Sequence, residues 1–586
     1  MKFLRNLLAS IIGSTIALFL ILFIFIGVAS LMSDTEKVKV ESSSVLEIKL
    51  DKVVKDFAPK SDDPIEEILG LNNQKLGLNN ILNAIENAKT DEKIEGISLR
   101  TMGITSGVAQ TQAIRNKLLE FKESGKFIYA YADVYDQKSY YLSSVADSVF
   151  MNPVGEVSFK GLSGEILYYK DLQDKTGVKM EVIRHGKYKS AVEPFLTNKM
   201  SDANREQTVS FLSSIWDELL VDIAESRSVS VAALNEVADN LLGRNATKAQ
   251  ESALIDGAIY FDEYESKLKQ AIGISNDEEA AVKRISMKDY ISTGKGRITS
   301  TASDKIAVIY AQGEIIYGKG NEELIGQDLI INALKKARKS KSTKAVVLRV
   351  NSPGGSALAS ELMLRELKLT AEELPMVVSM GDVAASGGYY IACAADKIYA
   401  EPTTITGSIG VFGMIPNMHE LSKSIGINAE QVSTNKSPSY SVFEPMTEDF
   451  RVVTQESIEK IYTTFITHVA ENRGMTIEEV DKIAQGRVWS GVEAKENGLV
   501  DELGSLQDAI DYAAELAELD EYKVRNYPSY KVELEDRFSS LPFSKAKSEI
   551  LKEELGEEYF KIYQKLKQAS QTKGVQAKLP FMLEIK

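Results

Sequence analysis

Hydrophobic residues fall along this chain in three patterns. From Asn6 to Ser33 no charge interrupts a run dominated by Leu, Ile, Phe and Ala. As a helix its apolar core, Leu7 to Leu31, would extend ~37 Å at about 1.5 Å per residue, more than the hydrocarbon thickness of a bilayer. Further on, short β-rich runs such as "KIAVIYAQGEI" and "KAVVLRV" alternate with longer stretches of helical period such as "ALASELMLRELKLTAEEL". That alternation predicts βαβ-type units with a largely parallel sheet covered by helices. After residue 515 the chain turns charged and helix-prone, and the apolar spacing of "SKAKSEILKEELGEEYFKIYQKLKQ" reads as a packing or oligomer-contact helix.

The α/β pattern occurs twice. "YADVYDQKSYYLSSVADSVFMNPVGEVSFKG", starting at Tyr131, aligns with "MGDVAASGGYYIACAADKIYAEPTTITGSIG", starting at Met380. Asp133 pairs with Asp382, Tyr140 and Tyr141 with Tyr389 and Tyr390, Ala146 and Asp147 with Ala395 and Asp396, and Pro153 with Pro402. The segments around Glu193 and Glu444 continue the match, so the chain carries a duplication. The expected organisation is an N-terminal stub and anchor at 1–33, a first repeat at 34–290, a Gly/Ser/Thr-rich linker at 291–305, a second repeat at 306–515 and an extension at 516–586.

Length and charge narrow the function classes. At 586 residues the chain is too long for one ordinary core. With 69 Lys plus Arg against 84 Asp plus Glu it is acidic, which argues against nucleic acid as a partner. Cys393 is the only cysteine, so no internal disulfide framework is possible, and three histidines leave little material for a metal site. Lys2 and Arg5 precede the apolar run while Asp34 and Glu36 follow it, which orients an anchor with its N-terminus in the cytoplasm and the rest of the chain across the membrane. A cleaved signal peptide is the rival reading, disfavoured by the length of the apolar part.

The candidate chemistry lies where the copies diverge. Ser386, in "ASGG", aligns with Gln137, and Gly387 and Gly388 with Lys138 and Ser139. Lys189, in "HGKYKSAVEP", aligns with Pro438, so each copy holds what the other lacks. A serine hydroxyl needs a base to take its proton, and an attacked carbonyl needs N–H donors for its developing charge. Glycine-rich "ASGG" and "VNSPGGS" bring backbone close to a substrate. For the base, His419 and His468 have no partner pattern, while His185 competes with Lys189. A lysine base must be neutral, which burial and the neighbouring cations Arg184 and Lys187 are expected to promote. Tyr389 and Tyr390 read as core aromatics, since the first copy has the same pair without the serine.

The stretches "MGDVAASGGYYIA", "VNSPGG", "EPTTITGSIGVFG" and "YKSAVEP" together resemble the signal peptide peptidase family, also called protease IV, in its long duplicated form. The resemblance runs from the anchor to about residue 515. It implies Ser386 as nucleophile, Lys189 as general base, Ser408 as the serine orienting the lysine amine, and the backbone N–H groups of Gly355 and Gly387 as the oxyanion hole. It also implies two tandem crotonase-like or Clp-protease-like α/β repeats of ββα type behind one transmembrane helix. The family assembles as a dome-shaped homo-oligomer, a tetramer being favoured. The implied substrates are cleaved signal peptides and other apolar peptides met at the outer face of a bacterial inner membrane. Ser-Lys chemistry requires no cofactor. Two alternatives belong to other classes: a crotonase-like acyl-CoA enzyme and a non-catalytic membrane scaffold.

Overall fold

The computed structural model describes residues 5–6, 10–17, 20, 38–59, 75–275, 280–436, 439–530 and 575–578. The expected anchor, the charged stretch of the C-terminal extension and Pro438 lie largely or wholly outside them. Among the described residues no helix is long and apolar enough to cross a membrane.

The first copy contributes β1 (Ser44–Ile48), β2 (Ile94–Leu99), α1 (Val108–Lys122), β3 (Phe127–Ala132), α2 (Gln137–Ser143), β4 (Ser148–Met151), β5 (Lys179–His185) and the long α3 (Asp202–Arg227). The second contributes β6 (Lys305–Gln312), β7 (Glu314–Ile316), β8 (Thr343–Ser352), β9 (Gly354–Ser356), α4 (Ala357–Ala371), β10 (Met376–Ala385), α5 (Gly387–Ala392), β11 (Lys397–Ala400), β12 (Ile405–Gly407), β13 (Val411–Asn417), α6 (Glu448–Arg473), β14 (Val488–Ser490) and β15 (Lys523–Tyr527). A last strand, β16 (Val575–Lys578), follows.

The predicted parallel sheets are present in both copies. In the first, β4, β3, β2 and β1 lie side by side, flanked by Gly257–Ala258 and Arg284–Ser286, with every pairing parallel. In the second the order is β14, β12, β10, β8, β6, β15, and β11 also pairs with β10; only β12 and β14 are antiparallel. The sheet thus takes in Lys523–Tyr527, beyond residue 515. Strands covered on both faces need continuous apolar runs. Residues 345–348 of β8 and 376–380 of β10 are accordingly buried without alternation.

A third sheet joins the copies. Its order is Leu324–Gly326, β7, β9, β16, β13, β5. Here β5 of the first copy runs antiparallel to β13 of the second, from His185 opposite Val411 to Lys179 opposite Asn417. The duplication breaks at this point, because the second-copy stretch matching β5, Asn428–Thr434, has no strand. The linker, too, is partly docked: a helical turn covers Ile291–Lys295, and Asn80 and Asn87 donate to the carbonyls of Gly296 and Lys295.

Candidate active site

Ser386 sits at the sharp junction between β10 and α5, with φ 55° and ψ −113°. A non-glycine residue in that region is strained and is held only by its surroundings. The Ser386 N–H donates to the Gly407 carbonyl at 2.8 Å, and the Tyr390 N–H donates back to the Ser386 carbonyl at 2.8 Å. Small neighbours are needed because the serine is wholly buried between sheets, with Ala384, Ala385, Gly387 and Gly388 also buried.

Lys189 reaches this serine from the other copy. It follows β5, and its backbone is gripped from both sides: Arg184 Nη1 donates to its carbonyl at 3.0 Å, and the Tyr188 N–H donates to the Gln485 carbonyl at 2.8 Å. Gln207 of α3 donates to the Tyr188 carbonyl and to Ser190 Oγ. Buried Glu193 accepts from the Ser201 N–H and Asn204 Nδ2, tying the following turn to the start of α3. Lys189 itself has 0 % exposure. Its Nζ lies 2.9 Å from Ser386 Oγ, 2.9 Å from the Ser408 carbonyl and 3.0 Å from Ser408 Oγ.

Those three oxygens match the bonding capacity of a neutral amine. A neutral amine can accept the Ser386 O–H on its lone pair while donating its two hydrogens to the Ser408 oxygens. Burial holds the Lys189 amine well below the usual lysine range, since the ammonium would lose its hydration. Desolvation is the cause, and the cations expected from the sequence do not contribute. Arg184 is engaged with the lysine's own carbonyl, while exposed Lys187 lies over the Tyr188 ring.

Ser408 also has positive φ, at 50°, and its N–H donates to the Arg487 carbonyl. Gly387 is the first residue of α5, where an N–H has no intrahelical acceptor. Gly355 lies in β9 between Ile315 and Ala577 of the neighbouring strands, and an added Cβ would come 2.0 Å from the Ile315 carbonyl oxygen. Only glycine fits there.

His185, the rival base, is committed elsewhere: Nδ1 is 2.6 Å from Glu459 and the ring stacks on Tyr462. His419 contacts the Phe443 carbonyl, and His468 bridges Glu361 and Lys368. Tyr389 and Tyr390 are buried, the former donating to the Leu499 carbonyl. Among the described residues no group of His, Cys, Asp and Glu is placed to hold a metal ion.

The equivalent place in the first copy is plugged. Gln137 Oε1 accepts the N–H groups of Lys160 and Gly161 at 3.0 Å each, and Nε2 donates to the Gly161 carbonyl. The side chain thereby closes the loop that matches the one bearing Ser408. A cavity of about 70 Å³ remains beside it, lined by Val108, Tyr141, Leu162 and Leu219, too small for a peptide.

Two features of the site had no sequence signal. β16 pairs antiparallel with both β9 and β13, placing Ala577 opposite Gly355 and Gln576 opposite Phe412. The loop at Gln485–Arg487 supplies carbonyls that hold both Tyr188 and Ser408.

Comparison with known proteins agrees with this architecture. Residues 120–275 and 368–520 match peptidase family S49, one segment in each copy. Protease 4 of Haemophilus influenzae is 38% identical over 453 residues, 76% of this chain and 73% of the relative. Protease 4 of Salmonella typhi is 39% identical over 78% of this chain and 74% of its own length. The chloroplastic serine protease SPPA of Arabidopsis thaliana is 33% identical over 76% of this chain and 67% of its own. The chain belongs to peptidase family S49 and is a serine peptidase.

Proposed function

We propose that this peptidase works through a Ser-Lys dyad assembled across the duplication, with Ser386 as nucleophile and Lys189 as general base. The observation that carries this reading is the wholly buried Lys189 amine, 2.9 Å from Ser386 Oγ and otherwise facing the two Ser408 oxygens. As the Ser386 oxygen attacks the peptide carbonyl, its proton passes to Lys189 Nζ. The backbone N–H groups of Gly355 and Gly387 receive the negative charge developing on the carbonyl oxygen. Collapse of the tetrahedral intermediate expels the amine product, which takes the proton from Lys189, and leaves an acyl-serine. Water, deprotonated by the same amine, then releases the second product. Ser408 holds the amine's two hydrogens so that its lone pair faces the nucleophile.

The substrate lies extended. The place of β16 between β9 and β13 supports this, because a peptide there pairs its backbone on both sides, as in strand addition. Backbone pairing is indifferent to sequence, and the absence of charge from the Asn6–Ser33 segment supports a membrane anchor. Cleaved signal peptides and other apolar peptides at the outer face of the inner membrane are the substrates in this reading, and the working form is a homo-oligomer.

The test is hydrolysis of a fluorogenic apolar peptide, with labelling by a serine-directed fluorophosphonate. Ser386→Ala and Lys189→Ala each abolish turnover with the fold intact by circular dichroism; substantial turnover by either purified variant defeats the dyad.

A further inference from the structure

The two halves of the proposed dyad come from different copies, so something must set the distance between them. α1 of the first copy packs directly on β10 of the second, the strand that ends at Ser386. Most helices near the site begin with their own capping side chain: Ser201 for α3, Ser356 for α4 and Thr447 for α6. α1 begins at Gly107, which has none. Instead the N–H of Gln110, at the third position of the helix, donates to Asp382 Oδ1 of β10 at 3.0 Å. This is the bond a Ser or Asp cap makes within one chain segment, supplied here from the other copy. A carboxylate at a helix N-terminus is also favoured by the helix dipole.

The contact is tight and specific. A Cβ on Gly107 would lie 2.1 Å from the Asp382 carboxyl, so the absence of a cap in α1 is what admits the aspartate. Asn351 of β8 donates to Asp382 Oδ2 at 3.4 Å and accepts the Val383 N–H, holding β10 at the same point. Gln110 also donates to Asp56, which pairs with buried Arg349 at 3.1 Å. Asp56, Arg349, Lys138 and Glu401 are the charged groups around the carboxyl, and burial beside Asp56 lifts its pKa to about 6 against the opposing Gln110 N–H and Arg349. The matching residue of the first copy, Asp133, is exposed and, among the described residues, its side chain bonds Tyr131 and Asn152. One duplicated aspartate therefore faces solvent, and the other clamps the copies together four residues before the nucleophile.

We propose that Asp382 is a positioning residue: by capping α1 across the copy boundary it fixes β10, and with it Ser386, at reacting distance from Lys189. A misplacement of about 1 Å can cost on the order of a hundredfold in rate. The proposal rests on the dyad reading above.

Three variants test it with the full chain and the fluorogenic peptide, Ser386→Ala run beside them. Asp382→Ala lowers kcat by at least about tenfold with KM within about threefold, as expected for lost alignment rather than lost substrate binding. Asp382→Asn retains an acceptor for the Gln110 N–H and keeps kcat within about threefold of wild type. The double variant Asp382→Ala with Gly107→Ser gives α1 a cap of its own, so thermal stability returns while kcat does not. Wild-type kcat in Asp382→Ala, or recovery of kcat together with stability in the double variant, overturns the proposal. If Asp382→Ala fails to fold, Asp382→Asn decides alone, and a tenfold or greater loss there overturns it. Turnover by Ser386→Ala instead defeats the dyad reading.

Discussion

Lys189 Nζ and Ser386 Oγ stand 2.9 Å apart although 197 positions separate the two residues in the chain. The pairing of β5 with β13 brings them together, since that strand pair carries the first copy's lysine loop onto the second copy's site. On the dyad reading catalysis and stability are opposed at this point, because a buried amine that serves as a base is costly to the fold.

Replacing the lysine separates the two effects. Lys189→Met abolishes turnover and raises Tm near neutral pH, because the unfolded state of the wild type binds a proton that the native site resists. The sign follows from a folded pKa below the unfolded one: the wild-type penalty is full below the folded pKa and vanishes as pH rises toward the ordinary lysine value of about 10.4. Melting curves across that range therefore show a gain in Tm that shrinks with rising pH. A drop in Tm at every pH contradicts the account. The same titration sets the rising limb of peptidase activity, which lies well below the ordinary lysine pKa.

Ser408→Ala removes one of the two acceptors for the amine hydrogens and leaves the carbonyl. The lysine remains in place but is less firmly oriented, so kcat falls by about tenfold, the equivalent of one hydrogen bond, while KM changes little. Steady-state kinetics on the purified variant check this. An unchanged kcat removes Ser408 from the mechanism.

The strand β16 occupies the pairing edges of β9 and β13 beside Gly355. A chain ending before Val575 leaves those edges free, so KM for an extended peptide falls by about threefold or more with kcat unchanged, in proportion to the fraction of sites previously occupied. Full-length and truncated proteins compared on one fluorogenic peptide give the answer, and an equal or higher KM in the truncated chain rules out competition by β16.

Much of this protein is legible along the chain because its determinants are local. Continuous apolar runs alternating with helical periods marked the parallel sheets, since a strand buried on both faces has no polar alternation to display. The duplication was visible as repeated letters, and the complementary losses, Gln137 against Ser386 and Pro438 against Lys189, pointed to Ser386 and Lys189, the two residues that the fold brings together.

Tertiary structure decided the remainder. Arg184 and Lys187 are near Lys189 in sequence, yet the lysine pKa is governed by burial, which depends on what packs over the side chain. Asp133 and Asp382 are the same letter at matched positions, but only Asp382 meets a helix lacking its own cap. The sheet shared by β5, β13, β9 and β16 is made of pairings between segments far apart in the chain, and no local period encodes such a partner. Sequence by itself determines which chemical groups and which elements are available; distance, desolvation and charge environment arise only when distant segments are packed together, and those quantities make Lys189 a buried amine beside Ser386 rather than a surface cation.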